Sequence, residues 1–197
     1  MKTFLWILGL FVVFFVITKL AERPETSNVE QARVDGMTPE QRAEVERERR
    51  EAELRRLGLK WHYQEVDDQM GRGKIKSALV NSLNQFEFDF PYKRPQRATL
   101  QLRRHPKYGR DVILQIERGQ FLCGVSDCNV EVRFGAKKPT TFSAAEPADH
   151  DTTALFIRNH DSFVANARKA DKVFIEAQFF REGNRVFEFD VSGLKWP

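Results

Sequence analysis

Cys123 and Cys128 are the only two cysteines in the chain, and between them lie the turn-forming residues Gly124, Ser126 and Asp127. Two strands meeting at such a loop bring the sulfurs within bonding range. Closing so short a loop stabilises by about 2 kcal/mol on the chain-entropy estimate. Unpaired buried thiols are one alternative, and metal or redox chemistry another. A tetrahedral metal site needs further ligands, and His62, His105, His150 and His160 show no paired spacing. A redox pair is ordinarily Cys-x-x-Cys opening a helix, which this is not. A disulfide is the expectation, and it implies an oxidising compartment.

The second chemically suggestive group is cationic. Lys93, Arg94, Arg97, Arg103, Arg104, Lys107 and Arg110 fall within an eighteen-residue stretch that contains no acid. Folded into two strands and their turn, several of them are expected to converge on one side. That suits an anionic partner such as lipid headgroups, an acidic glycan or an acidic protein surface. The alternative is a solvated hairpin face. A net charge of +4 is too small an excess to argue for nucleic acid.

Catalytic chemistry finds less support. There is no Gly-rich phosphate loop, histidine pair or nucleophile elbow. Asp161 and Ser162 beside His160 suit the start of a helix better than a catalytic frame. Asp67-Asp68 offers a cation-binding pair, although adjacent carboxylates commonly mark a turn. The acid pair of a glycoside hydrolase is defined by spatial separation, so dispersed carboxylates in an envelope hydrolase remain an alternative. No catalytic residue, metal ligand or cofactor is assigned.

These groups need a scaffold, and from Leu59 onward the apolar pattern alternates. Arg97–Arg103 sets Ala98, Leu100 and Leu102 against Thr99, Gln101 and Arg103; Asp111–Glu117 does the same with Val112, Leu114 and Ile116. The segment from His105 to Arg110 reads as their hairpin connection. Asn129–Phe134, Lys172–Phe180 and Arg185–Val191 are further strands, the last two joined by the turn Arg181-Glu182-Gly183-Asn184. Lys74–Asn81, Gln85–Phe90 and Thr153–Ile157 are shorter candidates, and His160–Ala170 suits a helix with Phe163, Val164 and Ala167 inward. The expected fold is mainly β, an antiparallel sandwich or curled barrel with one covering helix. The 17 Phe residues fit its core better than an exposed platform for sugars or bases.

Three segments follow: an anchor over 1–21, a linker and charged stem over 22–58, and the β-rich domain over 59–197. Phe4–Ile17 contains no polar side chain, and its extension to Ala21 covers nearly the whole hydrocarbon thickness as a helix. An uncleaved signal anchor is expected; a cleaved signal peptide is the competing reading, but no small-x-small site follows the run. Basic residues flank both ends, so charge alone does not orient it. The disulfide does, placing the N-terminus in the cytoplasm and the domain in the periplasm as a single-pass inner-membrane protein. Within the stem, Thr38 and Gln41 form a capping-box pattern with Pro39 at the first helical position, and Gly58 suits the far end. Its alternating Glu and Arg residues suit a solvated spacer, with a weak coiled-coil contact as the alternative.

Residues 61–196 also resemble a set of uncharacterised bacterial and phage-borne domains. The resemblance rests on Trp61-His62-Tyr63 with Asp68, on Phe90-Pro91-Tyr92, on Gly119-Gln120-Phe121-Leu122-Cys123, and on the ending from Phe189 to Trp196. More distantly the chain is similar to type VI secretion accessory proteins of the VasI/TagO kind. Cys128 and Arg133-Phe134 match their pattern, while Gly135 stands where that pattern has Asp. The resemblance implies an envelope address and carries no activity. The expected function is a membrane-anchored, non-catalytic periplasmic binding module for a protein or anionic envelope partner. A structural subunit of a membrane complex, such as a secretion accessory protein, is a further alternative.

Overall fold

The computed structural model describes residues 36–123 and 128–197. The anchor expected over 1–21, the part of the expected linker up to residue 35 and the turn expected at 124–127 lie outside them. Among the described residues no helix is long and apolar enough to cross a membrane. The chain divides into two compact units, Met1–Arg49 and Arg50–Pro197.

In the first unit, helix α1 (Pro39–Arg56) begins as its residues dictate. The Thr38 N–H donates to Gln41 Oε1 (2.9 Å), and the Gln41 N–H donates to Thr38 Oγ1 (3.3 Å). This reciprocal pair satisfies amides that the first turn leaves without helical partners. No α1 side chain is buried.

In the second unit, the end of α1 is closed by Gly58 at φ 67°. The Gly58 N–H donates to Arg55 O and the Leu59 N–H to Leu54 O (2.9 and 2.8 Å), the paired bonds of a left-handed helix stop. Among the described residues nine strands follow: β1 (His62–Asp67), β2 (Lys74–Asn81), β3 (Thr99–His105), β4 (Gly109–Gln115), β5 (Cys128–Phe134), β6 (Thr140–Ala145), β7 (Ala154–Ile157), β8 (Lys172–Phe179) and β9 (Gly183–Asp190). Helix α2 (His160–Ala167) lies between β7 and β8.

The strands form one open antiparallel sheet in the order β1-β2-β3-β4-β7-β6-β5-β8-β9. In place of a sandwich's two ladders, the β4–β7 and β7–β6 pairings carry the sheet unbroken from its first half into its second. Inward residues of both halves, including Leu100, Leu102, Val112, Val132, Ile175 and Phe187, share one core. The Leu83 N–H donates to Glu188 O (2.6 Å), and the Phe86 ring lies 5.0 Å from that of Phe187. The segment after β2 therefore runs beside the outer edge of β9. Phe163 of α2 closes the core against Phe134 and Phe142, with ring centroids 5.3 and 5.9 Å away.

Several strands lie where alternation puts them, and three elements differ. Gln85–Phe90 is not a strand; only Phe86 bridges to Gln96. Strand β1 escapes alternation because all six of its residues are exposed, and β6 because Thr140, Thr141 and Ser143 dilute its inward Phe142 and Ala144. Most Phe residues are inside, but Phe90 is 89% exposed. Cys123 and Cys128 are disulfide-bonded, with Cα atoms 4.9 Å apart. Gly119, at φ 120°, is required by close approach: a Cβ there would stand 2.4 Å from the Phe88 ring.

Candidate anion-binding face

The cationic stretch is divided by the fold. Strand register sets Lys76 of β2 opposite Arg104 of β3, and Arg104 opposite Arg110 of β4. Each lies two residues from a buried residue of the inward face, namely Ala78, Leu102 and Val112. Side chains repeat every second residue along a strand, so the three cations continue the core face beyond the point where it meets solvent.

Acids stand at both ends of this row. Glu65 of β1 is in register with Lys76, and its carboxylate lies 3.0 Å from that ammonium and 2.7 Å from Lys74. Beyond Arg110, two guanidinium nitrogens each lie 2.8 Å from an Asp161 carboxylate oxygen. Hydrogen bonds from Lys74 and then Lys76 hold the Glu65 carboxyl below its ordinary range. For Asp161 the largest cause of the same downward shift is its hydrogen bond with His160, followed by Arg110. The side chain of Arg104, in the middle and exposed, has no hydrogen-bond or acidic partner among the described residues.

His160 positions Asp161. The Trp196 Nε1–H can only donate, and it meets His160 Nε2 at 3.3 Å. The proton of the neutral ring therefore sits on Nδ1, which donates to Asp161 Oδ1 at 2.9 Å. A chain from Trp196 through His160 and Asp161 to Arg110 thus ties the row to the C-terminal segment. Beside it opens a cavity of about 420 Å³, lined by Arg110, Asp111, Glu146, Phe156, Arg158 and His160 among others. That volume is within the range of small-molecule pockets.

The remaining cations predicted to bind have other places. Arg97 donates to Ser82 O (2.6 Å) and Leu83 O, fastening the segment after β2. Arg103 donates to Asp111 Oδ2 through Nε and Nη2 (2.9 and 2.7 Å) and lies over the Phe156 ring. Lys107 lies in the β3–β4 turn, its ammonium 4.8 Å from the Tyr108 ring. Lys93 and Arg94 are exposed on the loop after Phe90, at the other end of β3. The fold therefore brings Arg104 and Arg110 together and commits Arg97 and Arg103 to structural contacts. It adds Lys76, whose part no local pattern announces, because its neighbour Arg104 is 28 positions away.

Asp68 closes the β1–β2 turn, bonding Arg72 and accepting from the Met70 N–H, while Asp67 is exposed on β1. Asp111, Glu182 and Asp190 are each paired with a cation: Arg103, Arg185 and Lys60. Among the described residues no group of three or more His, Cys, Asp or Glu could hold a metal ion. No protein-family model matches the chain, and neither a curated protein nor a solved structure does so.

Proposed function

We propose that this chain is a membrane-anchored, non-catalytic envelope binding module. It sits in the bacterial inner membrane by its N-terminal hydrophobic segment, with a periplasmic β-domain whose curled sheet, covered by α2, engages an anionic partner. The observation that carries the reading is Arg104, exposed between two further cations and without an acidic partner among the described residues. Like charges directly opposite each other on a sheet are destabilising, so such a row is a poor structural choice and a good receptor for negative charge. The Cys123–Cys128 bridge and the resemblance to envelope domains support the address.

The test is capture from intact membranes after crosslinking, comparing the native chain with a Lys76→Gln/Arg104→Gln/Arg110→Gln variant. Loss of the native partner set in the variant is expected, and an unchanged set would refute the reading. Protease added outside the inner membrane should reach the β-domain; full protection would overturn the address.

A hydrolase is the second reading, because two carboxylates, Asp111 and Glu146, line the same cavity. Asp111 is committed to Arg103, which leaves Glu146 as the acid without a partner among the described residues. Glycan hydrolysis by the native chain that disappears in Glu146→Gln would favour this reading over the binding module.

A further inference from the structure

The cationic row has an end on each side, and the ends restrict what it can hold. Adjacent strands lie about 4.8 Å apart, so the three cations span roughly 10 Å across β2, β3 and β4. Immediately beyond stand Glu65 and Asp161, each already held by the neighbouring cation. Carboxyls are ionised at neutral pH, and hydrogen bonds from Lys74 and Lys76 to one, and from His160 and Arg110 to the other, shift both further in that direction. A long polyanion laid along the row would meet a negative charge at either end. A single compact anion centred on Arg104 would stay farther from both carboxylates.

The donors match such a group. All five guanidinium N–H groups of Arg104 lack a partner among the described residues. Lys76 spends one contact on Glu65, and Arg110 gives two nitrogens to Asp161, so both retain donors. Three cations side by side on one face of three adjacent strands suit a phosphate, with its three free oxygens and a charge between one and two, better than a carboxylate with two oxygens and one charge. Binding would also relieve the repulsion between cations in register.

We propose that Lys76, Arg104 and Arg110 form a site for one phosphate group, carried by a small molecule or a lipid headgroup, and that Glu65 and Asp161 exclude extended polyanions. This rests on the anionic-partner reading above and names the ligand class of that same face.

The test uses the full chain in phosphatidylcholine nanodiscs, with inorganic phosphate titrated calorimetrically at constant ionic strength. Saturable binding that weakens at least about tenfold in Arg104→Gln is expected, since one charged hydrogen-bond partner is worth on that order. Inorganic polyphosphate should bind the native chain more weakly than phosphate, and a Glu65→Gln/Asp161→Asn variant should gain affinity for it. Discs containing phosphatidate separate the sources: displacement of inorganic phosphate by that lipid assigns the headgroup, and no displacement assigns a soluble ligand. No saturable phosphate binding, equal binding by Arg104→Gln, or tighter native binding of polyphosphate overturns the inference. If capture of a partner still requires the row in any of those cases, the wider reading survives without it.

Discussion

Replacing Gln96 with alanine should be the most damaging change of a polar residue in the domain. Gln96 is 3% exposed, and its side chain holds the turn after β4 against the loop before β3. Its Nε2 donates to Arg118 O at 2.8 Å, while Oε1 accepts from the Glu117 and Arg118 N–H groups at 3.0 and 2.9 Å. Alanine would strand these backbone groups. A buried group left unpaired costs roughly 1–3 kcal/mol, and the low end applies because Glu117 is exposed and water can reach the turn. Together with the lost methylene packing the cost is about 4 kcal/mol. Gln96→Glu keeps an acceptor for both amides but sets a carboxylate against the Arg118 carbonyl, so it should cost about half as much. Backbone bonds between Phe86 and Gln96 persist in both variants. Urea unfolding followed by circular dichroism reads the difference, and in a thermal scan alanine should lower Tm by about 10 °C. A loss below about 1 kcal/mol for alanine, or equal losses for both variants, would refute the clamp argument.

Reducing the Cys123–Cys128 bridge should lower unfolding stability by about 2 kcal/mol, and equal urea midpoints with and without reductant would contradict that. Burial pushes the Asp190 carboxyl up, but Lys60, the Ser192 hydroxyl and the Ser192 N–H outweigh it and hold the group below its ordinary range. Its contribution is therefore present above the unfolded carboxyl value of about 3.9 and is lost as pH falls through the lower folded value. Asp190→Asn should remove that part of the acid sensitivity; a native urea midpoint unchanged between about pH 5 and pH 2 would exclude it.

Local pattern determined much of this protein by itself. Alternation in Asp111–Glu117 and Lys172–Phe180 marks strands because neighbouring side chains on a pleat point to opposite faces. Thr38, Pro39, Gln41 and Gly58 mark the helix ends because their groups satisfy or release particular backbone positions. The Cys123–Cys128 pairing is legible from a short, turn-rich separation.

The candidate site was only partly legible. Arg104 and Arg110 were visible as cations, but their neighbour Lys76 and the flanking Glu65 and Asp161 were not. Nor could the sequence tell that Arg97 would serve Ser82 and Leu83, or that Arg103 would be held by Asp111. Strand β1 carries no apolar alternation because it is an edge with neither face covered. Register decides which distant residues stand side by side, and it is chosen by the burial of whole strand faces, since a slip of one residue would turn Leu102 and Val112 outward. That choice is made by the assembled sheet, and through it the tertiary structure alone made three scattered cations into neighbours.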